Sequence, residues 1–349
     1  MKILMVSPLP PPMGGMATWT EKYLKQCMDK KLSICLVNTA LISKNFEAGV
    51  NKRNIIDEVK RNIHIVCDFV RRFKRYEPDI VHINSSCSKY GMLREAVCIF
   101  YAKNKKKKIL LHCHCDVEDM LGKGKTPRKV FMWLAQNANY VLCLNNRSLQ
   151  YVQRIVEKDK CAIVANFVEK EKQKTERTIS KKIRKCIYLG HVRREKGVFE
   201  LIEMAKRLPN IQFELIGPVS DEIKKSDIPN NVCLHGTMQH EQAMKFLKQS
   251  DVFVFPSYSE GFSVAMLEAM QSGLPIIATD VGANRDMIED KGGIIVDSKN
   301  VEALCKGISF LEEPDIRKEM SDWNCLKVQE NYTLDVVFGK IQLLYEKMM

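Results

Sequence analysis

Val252-Phe253-Val254-Phe255-Pro256-Ser257-Tyr258-Ser259-Glu260-Gly261-Phe262-Ser263-Val264-Ala265-Met266-Leu267-Glu268-Ala269-Met270 is the stretch whose reading decides the fold. A short run of apolar β-formers ends at Pro256, and a polar turn follows it. Ser263 then precedes an apolar helical pattern that Gly273 is placed to end, and Leu274-Pro275 opens the next strand. This is strand, loop, helix, strand, the unit of a parallel sheet. At the helix start, the backbone N–H groups of Phe262, Ser263 and Val264 form a ready site for a diphosphate. Glu268 lies about 7 Å farther along the axis at ~1.5 Å per residue, a distance that suits a carboxylate receiving two ribose hydroxyls. Glu260 stays in the turn.

Outward from there the alternation continues in both directions. The later series of strands reads Cys186–Leu189, Gln212–Ile216, Val232–His235, Val252–Pro256, Ile276–Thr279 and Ile294–Val296. The earlier series reads Ile3–Ser7, Ser33–Asn38, Ile80–Ile83, Ile109–Cys115, Tyr140–Leu144 and Ala162–Ala165, with helices such as Ala17–Met28 and the basic Asn54–Tyr76 between them. The charged segment from Glu169 to Lys185 has almost no apolar periodicity and reads as a linker. The α/β chain therefore divides into two Rossmann-like domains, 1–168 and 186–332. The last stretch, 333–349, is an amphipathic helix added to the first.

The chain has 349 residues and a formal net charge of +13, which fits anionic partners: nucleotide phosphates, nucleic acid or an anionic membrane surface. No apolar stretch is long enough to cross a membrane. The opening Met1–Val6 is too short for a signal-peptide core and reads as a first strand. The 13 cysteines are scattered through a long chain, as in a protein with reduced thiols, so a cytoplasmic location is expected.

The setting Pro-Ser-x-x-Glu-Gly-Phe, then Glu-Ala-Met, then Gly-Leu-Pro, with Glu260 and Glu268 separated by seven residues, resembles the signature of retaining GT-B glycosyltransferases of family four, the glycosyl transferases group 1. The resemblance implies two facing Rossmann-like domains with a cleft between them, and a terminal helix, bearing Tyr345, that crosses back to the N-terminal domain. It implies a nucleoside diphosphate sugar as co-substrate, no metal and no other cofactor. By the same resemblance Glu260 faces the donor sugar and Glu268 binds the ribose.

A second anchor is Tyr188-Leu189-Gly190-His191-Val192-Arg193-Arg194-Glu195-Lys196-Gly197. The family pattern here is Gly-Arg-x-x-x-x-Lys-Gly, whose Arg and Lys hold the pyrophosphate. Lys196 matches, but His191 stands at the Arg position, and Arg193 or Arg194 is placed to supply the guanidinium instead. Near the N-terminus, Gly14-Gly15 follows the first strand, where the family has a Gly-Gly loop beside the donor diphosphate. His114, in Leu110-Leu111-His112-Cys113-His114-Cys115-Asp116, matches a strand-end histidine near the sugar and the acceptor. Strand alternation puts the two histidines on one face and the two cysteines on the other. That spacing is not a zinc pattern, and no metal is expected there. Gly122-Lys123-Gly124-Lys125-Thr126 mimics the tail of a P-loop, yet Asp119 occupies the required first glycine position, with Asp116 and Glu118 beside it. It reads as a mobile loop with Pro127 starting the next helix. Asn166, Arg94 and Asp286 fall on lesser family positions.

The expected activity is transfer of a hexose or N-acetylhexosamine, most simply from a UDP-sugar, to a glycan or lipid-linked acceptor. The resemblance places it in bacterial surface polysaccharide assembly such as capsule or lipopolysaccharide, and the charge of one helix suggests a peripheral position on the inner membrane face. The basic helix Asn54–Tyr76 supplies a surface for anionic headgroups. A UDP-sugar 2-epimerase of the same fold is the nearest alternative. A nucleic-acid-binding protein is disfavoured because basic and aromatic residues do not interleave, and a nicotinamide enzyme because no Gly-x-Gly-x-x-Gly follows a strand.

Overall fold

The structure is a computed structural model that describes residues 1–11, 14–40, 55–170 and 177–349. The described chain forms two compact units, residues 1–166 with 337–349, and residues 167–336. In the first, β1 (Lys2–Ser7), α1 (Gly15–Asp29), β2 (Ser33–Asn38), α2 (Ile55–Tyr76), β3 (Ile80–Ser85) and α3 (Lys89–Asn104) come in order. They are followed by β4 (Lys108–Cys113), α4 (Val117–Leu121), α5 (Lys125–Asn137), β5 (Tyr140–Cys143), α6 (Asn146–Val152) and β6 (Cys161–Ile163). The six strands pair in parallel in the order β2-β1-β3-β4-β5-β6. Ile3, Leu4, Met5 and Val6 are all buried, so β1 is covered on both faces, as a parallel sheet between helix layers requires.

The second unit holds β7 (Lys185–Leu189), α7 (Val198–Arg207), β8 (Gln212–Ile216), α8 (Asp221–Lys224), β9 (Val232–Gly236), α9 (His240–Gln249) and β10 (Val252–Phe255). Then come α10 (Val264–Gln271), β11 (Ile276–Thr279), α11 (Asn284–Ile288), β12 (Gly293–Val296), α12 (Val301–Phe310) and α13 (Pro314–Asn331). Its sheet is also parallel, in the order β12-β11-β10-β7-β8-β9. The last helix, α14 (Leu334–Met348), joins the first unit from Val337 onward. There Tyr345 is buried, its hydroxyl 2.5 Å from His82 Nδ1, and Tyr23 packs 5.3 Å from Phe338.

Every strand expected from the sequence is present, with ends that shift by one or two residues. The linker expectation differs more. Arg177 donates to the Ser272 carbonyl at 3.0 Å, and Ser180 bonds Asp251 at 2.6 Å. The buried Arg317 guanidinium donates to the Ser180 carbonyl at 2.9 Å. Residues 177–184 are thus fastened onto the second unit by polar contacts, which apolar periodicity does not register. Residues 171–176 and Asn54 lie outside the described residues.

In each sheet the strand order reverses beside the first strand. The crevice lies between β1 and β3 in one unit and between β7 and β10 in the other. Open α/β sheets bind ligands outside the carboxyl ends of strands at such switch points.

Candidate functional site

The switch point of the second unit is built from the loops after β7 and β10. Gly197 has φ +70°, and a Cβ there would lie 2.1 Å from the Pro256 carbonyl oxygen, so only glycine allows the two loops to meet. The Tyr258 amide donates to the Glu195 carbonyl at 3.0 Å and locks the approach. On its other side the second loop rests on Gly282, whose Cβ would lie 2.2 Å from the Glu260 carbonyl oxygen. The Ala283 amide donates to the Gly261 carbonyl at 3.0 Å. This clamping brings Lys196 Nζ to 2.5 Å from Glu260 Oε1, with the side chains 19% and 13% exposed. The sequence places these two residues 64 positions apart, and the fold makes them an ion pair at the mouth of the crevice.

The helix α10 begins as expected. Ser263 is its N-cap and accepts from the Met266 amide at 3.2 Å, which leaves Val264 at the first helical position, outside the ladder of intrahelical bonds. Phe262 is buried, with its ring 5.5 Å from that of Tyr332, so the turn before the helix has an apolar anchor. The helix ends in a Schellman pattern: Gly273 (φ +71°) donates to the Met270 carbonyl and Leu274 to that of Ala269, at 2.9 and 3.0 Å. Glu268 projects from this helix with its side chain 12% exposed, and its Oε1 lies 2.8 Å from Nε2 of His240, the first residue of α9. His240 was not anticipated. Nothing near it in sequence marks it, because its partner comes from another element.

The three candidates for phosphate contacts separate. Arg194 is turned to Glu222, with Nε 2.9 Å from Oε1, and its guanidinium lies 4.3 Å over the Phe199 ring. Arg193 makes one looser contact, 3.5 Å to Glu195. His191 sits near Arg193 and Lys196. Partial burial first, and then the charges of those two residues, push its imidazole below the usual histidine range, so it is neutral at pH 7. Lys196, Arg193 and a neutral His191 therefore share one locale, while Arg194 is committed elsewhere. Asp286 lies on the short helix α11 behind Gly282.

In the first unit, Gly14 is the N-cap of α1, with extended backbone and no side-chain cap. Gly15 begins the helix, so the first amides of α1 are outside its ladder. His114 follows β4, its amide donating to the Ser85 carbonyl at 2.7 Å. Its ring lies 4.1 Å from His112 and 4.9 Å from Trp19, and Nε2 is enclosed without a hydrogen-bond partner among the described residues. Burial, helped by His112 and His82, holds the His114 imidazole well below its ordinary pKa. It is a neutral group, able to exchange a hydrogen bond but not to act as a cation at pH 7. The two histidines share a face, as alternation requires. Asn166 closes the first unit, and Arg94 lies buried on α3, 3.5 Å from Glu95 Oε1 and 3.4 Å from Asn62 Oδ1.

Two other expectations can be placed. The P-loop mimic is a turn between helices: Gly122 (φ +58°) ends α4, Gly124 caps α5, and Arg128 Nε donates to the Gly122 carbonyl at 2.8 Å. The helix begins at Lys125, earlier than Pro127, so this segment is a fastened turn rather than the mobile loop expected. Among the described residues, the group that gathers three metal-ligating side chain types is Glu214, Cys233 and His235, not the His112–Cys115 segment. Glu214 there is already met by His235 at 2.5 Å and by the Lys185 ammonium at 3.8 Å.

With this geometry in place, the chain was compared with known proteins. Residues 169–324 match the family described as Glycosyl transferases group 1. The chain is 27% identical over 264 residues to the putative teichuronic acid biosynthesis glycosyltransferase TuaC of Bacillus subtilis, a match that takes in 70% of this chain and 64% of that relative. Sucrose-phosphate synthase from Thermosynechococcus elongatus superposes with a TM-score of 0.78, at 16% identity, over 100% of this chain and 99% of that one. Anabaena Alr3699/HepE, solved in complex with UDP, gives a TM-score of 0.74 at 13% identity over 99% and 100% of the two chains. The two six-stranded parallel sheets with their flanking helices are the GT-B fold.

Proposed function

We propose, on the premise that residues 169–324 belong to the glycosyl transferases group 1, that this protein transfers a hexose or N-acetylhexosamine from a nucleoside diphosphate sugar to a glycan or lipid-linked acceptor in the assembly of a cell-surface polysaccharide. The observation that carries this reading is the pairing of Lys196 with Glu260 at the switch point of the second unit, in the turn that leads into the helix bearing Glu268. In this reading Lys196 moves from Glu260 onto the diphosphate, releasing the Glu260 carboxylate to the sugar hydroxyls. Arg193 and the Ser263–Val264 helix start hold the remaining phosphate charge. Glu268 exchanges His240 for the ribose hydroxyls. Fixed positive charge of this kind stabilises a diphosphate leaving group without a metal. The anomeric configuration is retained, with the departing phosphate receiving the acceptor's proton on the same face. UDP is the favoured carrier, since the HepE structure holds UDP. The polysaccharide assignment is supported by the teichuronic acid relative.

The experiment is metal-free calorimetry of UDP, GDP, ADP and NAD against the wild type and Glu268→Ala. Binding of one nucleoside diphosphate, lost in the variant, is expected. Binding of NAD alone, or none by any of them, sinks the reading.

No helix among the described residues is long and apolar enough to cross a membrane. A peripheral position is supported by α2 and α3. The first exposes Ile56, Val59 and Ile63 beside Lys60, and the second exposes Leu93, Val97 and Phe100 before Lys103. Apolar stripes bordered by lysines fit an anionic bilayer surface. Co-sedimentation with liposomes should rise with anionic lipid content, and indifference to it removes this part of the reading.

A further inference from the structure

The first unit carries a basic groove of about 810 Å³ at the amino ends of β4, β5 and β6, the edge of the sheet opposite its switch point. Lys103, Lys106, Lys107, Lys108, Arg154 and Lys160 line it, against one carboxylate, that of Glu157. Glu157 is met by Lys160 at 2.9 Å, and Lys103 Nζ donates to Asn137 Oδ1 at 2.6 Å. Lys106, Lys107, Lys108 and Arg154 have no ion-pair partner among the described residues. The walls are fixed by backbone bonds: the Ile109 amide donates to Asn139 Oδ1 and the Asn139 amide to the Ile109 carbonyl, both at 2.8 Å. Four unbalanced cations on one concavity set up a field that favours an anion filling it.

That charge alone would suit any polyanion, and the neighbouring surface narrows the choice. The helix α3 runs into the groove at Lys103. One turn earlier Phe100 is 59% exposed, continuing the stripe of Leu93 and Val97. The helix α5, which packs on α3, runs into the groove at Gln136 and Asn137, and one turn earlier Met132 and Trp133 are exposed. Apolar side chains from two adjoining helices thus border a cationic groove. This is the arrangement of a surface that lies on an anionic bilayer, with rings in the interface and lysines at the level of the phosphates. A soluble phosphate leaves Phe100, Met132 and Trp133 in water. Nucleic acid calls for rings interleaved with the cations, whereas here the rings stand one helical turn away from them.

We propose that this groove seats the phosphate headgroup of an anionic phospholipid while Phe100 and Trp133 enter the bilayer interface. The proposal rests on the peripheral position argued above and deepens it, giving that membrane contact a headgroup site on residues that α2 does not supply. Groove and switch point lie at opposite ends of the strands, so a bound headgroup leaves the crevice of the first unit open.

The test is sedimentation of the full chain with phosphatidylcholine vesicles containing phosphatidylglycerol. Beside it, the fluorescence of Trp133 is read as the difference between the wild type and Trp133→Phe. Wild-type binding should rise with phosphatidylglycerol content, and brominated lipid should quench Trp133. Lys106→Gln, Lys107→Gln and Lys108→Gln combined should weaken vesicle binding about 100-fold, the effect of three lysines leaving an anionic surface. A control with the same loss of charge on exposed lysines of the second unit combines Lys225→Gln, Lys248→Gln and Lys306→Gln. It should weaken binding less than about threefold, because salt confines the attraction to charges near the lipid. Melting curves check that both triple variants fold, and the quenching of Trp133, which leaves the groove intact, decides if the first does not. Equal losses in the two triple variants overturn the groove and leave the peripheral position on α2 and α3 standing, as does vesicle binding without quenching of Trp133. Indifference of the wild type to phosphatidylglycerol removes the peripheral position and the groove's role with it. Saturation by glycerol 3-phosphate without vesicles, lost in the groove variant, assigns the groove to a soluble phosphate. A gel shift of a short RNA, lost in the same variant while vesicle binding is retained, assigns it to nucleic acid. Either result overturns the lipid headgroup.

Discussion

The two switch points of this molecule are made by the same topology and use opposite chemistry. In the second unit, polar side chains from different elements, part-buried except for His240, meet one another beside the crevice: Lys196 with Glu260, and His240 with Glu268. In the first, the polar groups are sunk into the core. Ser7 Oγ lies 2.5 Å from Thr20 Oγ1 and accepts from Asn84 at 2.9 Å, while Glu95 and Arg94 are buried beside them. An ion pair at an open crevice is exchangeable when an incoming ligand brings charges that replace each partner. A buried network is not, since each orphaned group loses its whole solvation. The second unit is therefore suited to releasing its partners for an incoming ligand that brings its own charge. The first is suited to keeping its own partners and holding its loops in one arrangement.

The largest effect that would sharpen this contrast comes from the exchangeable pair. Lys196→Ala should lower transfer about 10²- to 10³-fold, as loss of one preorganised charge on a leaving group does. Stability should fall by only about 1–3 kcal/mol, the cost of leaving the part-buried Glu260 without a charged partner. Steady-state turnover beside a melting curve reads both. A variant that melts far lower with turnover intact would mean that the pair is structural and that the comparison is drawn wrongly.

The same contrast explains what the sequence could disclose. The strand–loop–helix order around Glu260 and Glu268 was legible because every residue that defines it lies within one short stretch, and its caps, Ser263 and Gly273, are local signals. The Lys196 anchor was legible for the same reason. The divergence of Arg193 from Arg194 was not, since it is decided by Glu222 and Phe199, the former 28 residues from Arg194 and on another helix. Arg94 showed only as a residue on a family position. Its burial, its long contacts and the cavity beside it arise where α1, α2, β3 and α3 converge, and no periodicity encodes that convergence. The expected linker failed at 177–184 for a related reason: a polar segment can be held by hydrogen bonds alone.

An intermediate effect breaks or upholds the buried half of the comparison. The Glu95 carboxyl is raised from 4.5 to about 7, chiefly by burial, with Cys87 adding and Arg94 and Ser85 opposing. A folded pKa above the unfolded one means that the folded state holds the proton more tightly. The corresponding stability is complete below pH 4.5 and is lost as pH rises through about 7. At one unit of pKa per 1.36 kcal/mol, this group costs the fold on the order of 3 kcal/mol at pH 8 relative to pH 4. The buried His82, His112 and His114 have the opposite sign: their depressed values withdraw stability as pH falls below the ordinary histidine range. Glu95→Gln should therefore remove a loss of stability that the wild type suffers between pH 4.5 and about 7, the window in which the histidines act with the opposite sign, and leave the profile above pH 8 parallel to that of the wild type. Denaturant titrations at several pH values measure it, and a variant whose slope between pH 4.5 and 7 equals that of the wild type would place Glu95 in water rather than in the core.

The smallest effect separates two adjacent residues. Arg194 is spent on Glu222 and on the Phe199 ring, and both arginines are exposed. Its removal costs an exposed ion pair and a cation–π contact and no phosphate contact. Arg193 is 3.5 Å from its carboxylate partner and close enough to His191 and Lys196 to act on the same imidazole. Arg193→Ala should thus weaken nucleoside diphosphate binding about tenfold, the worth of one charge-assisted bond, while Arg194→Ala leaves it within about twofold. The ratio of the two dissociation constants is the quantity to measure, and it should fall with added salt, because the contact is near the surface. Equal losses would show that the Arg194–Glu222 pair opens as readily as Lys196–Glu260. In that case a neutral His191 at the family's arginine position is compensated by two guanidinium groups rather than by one.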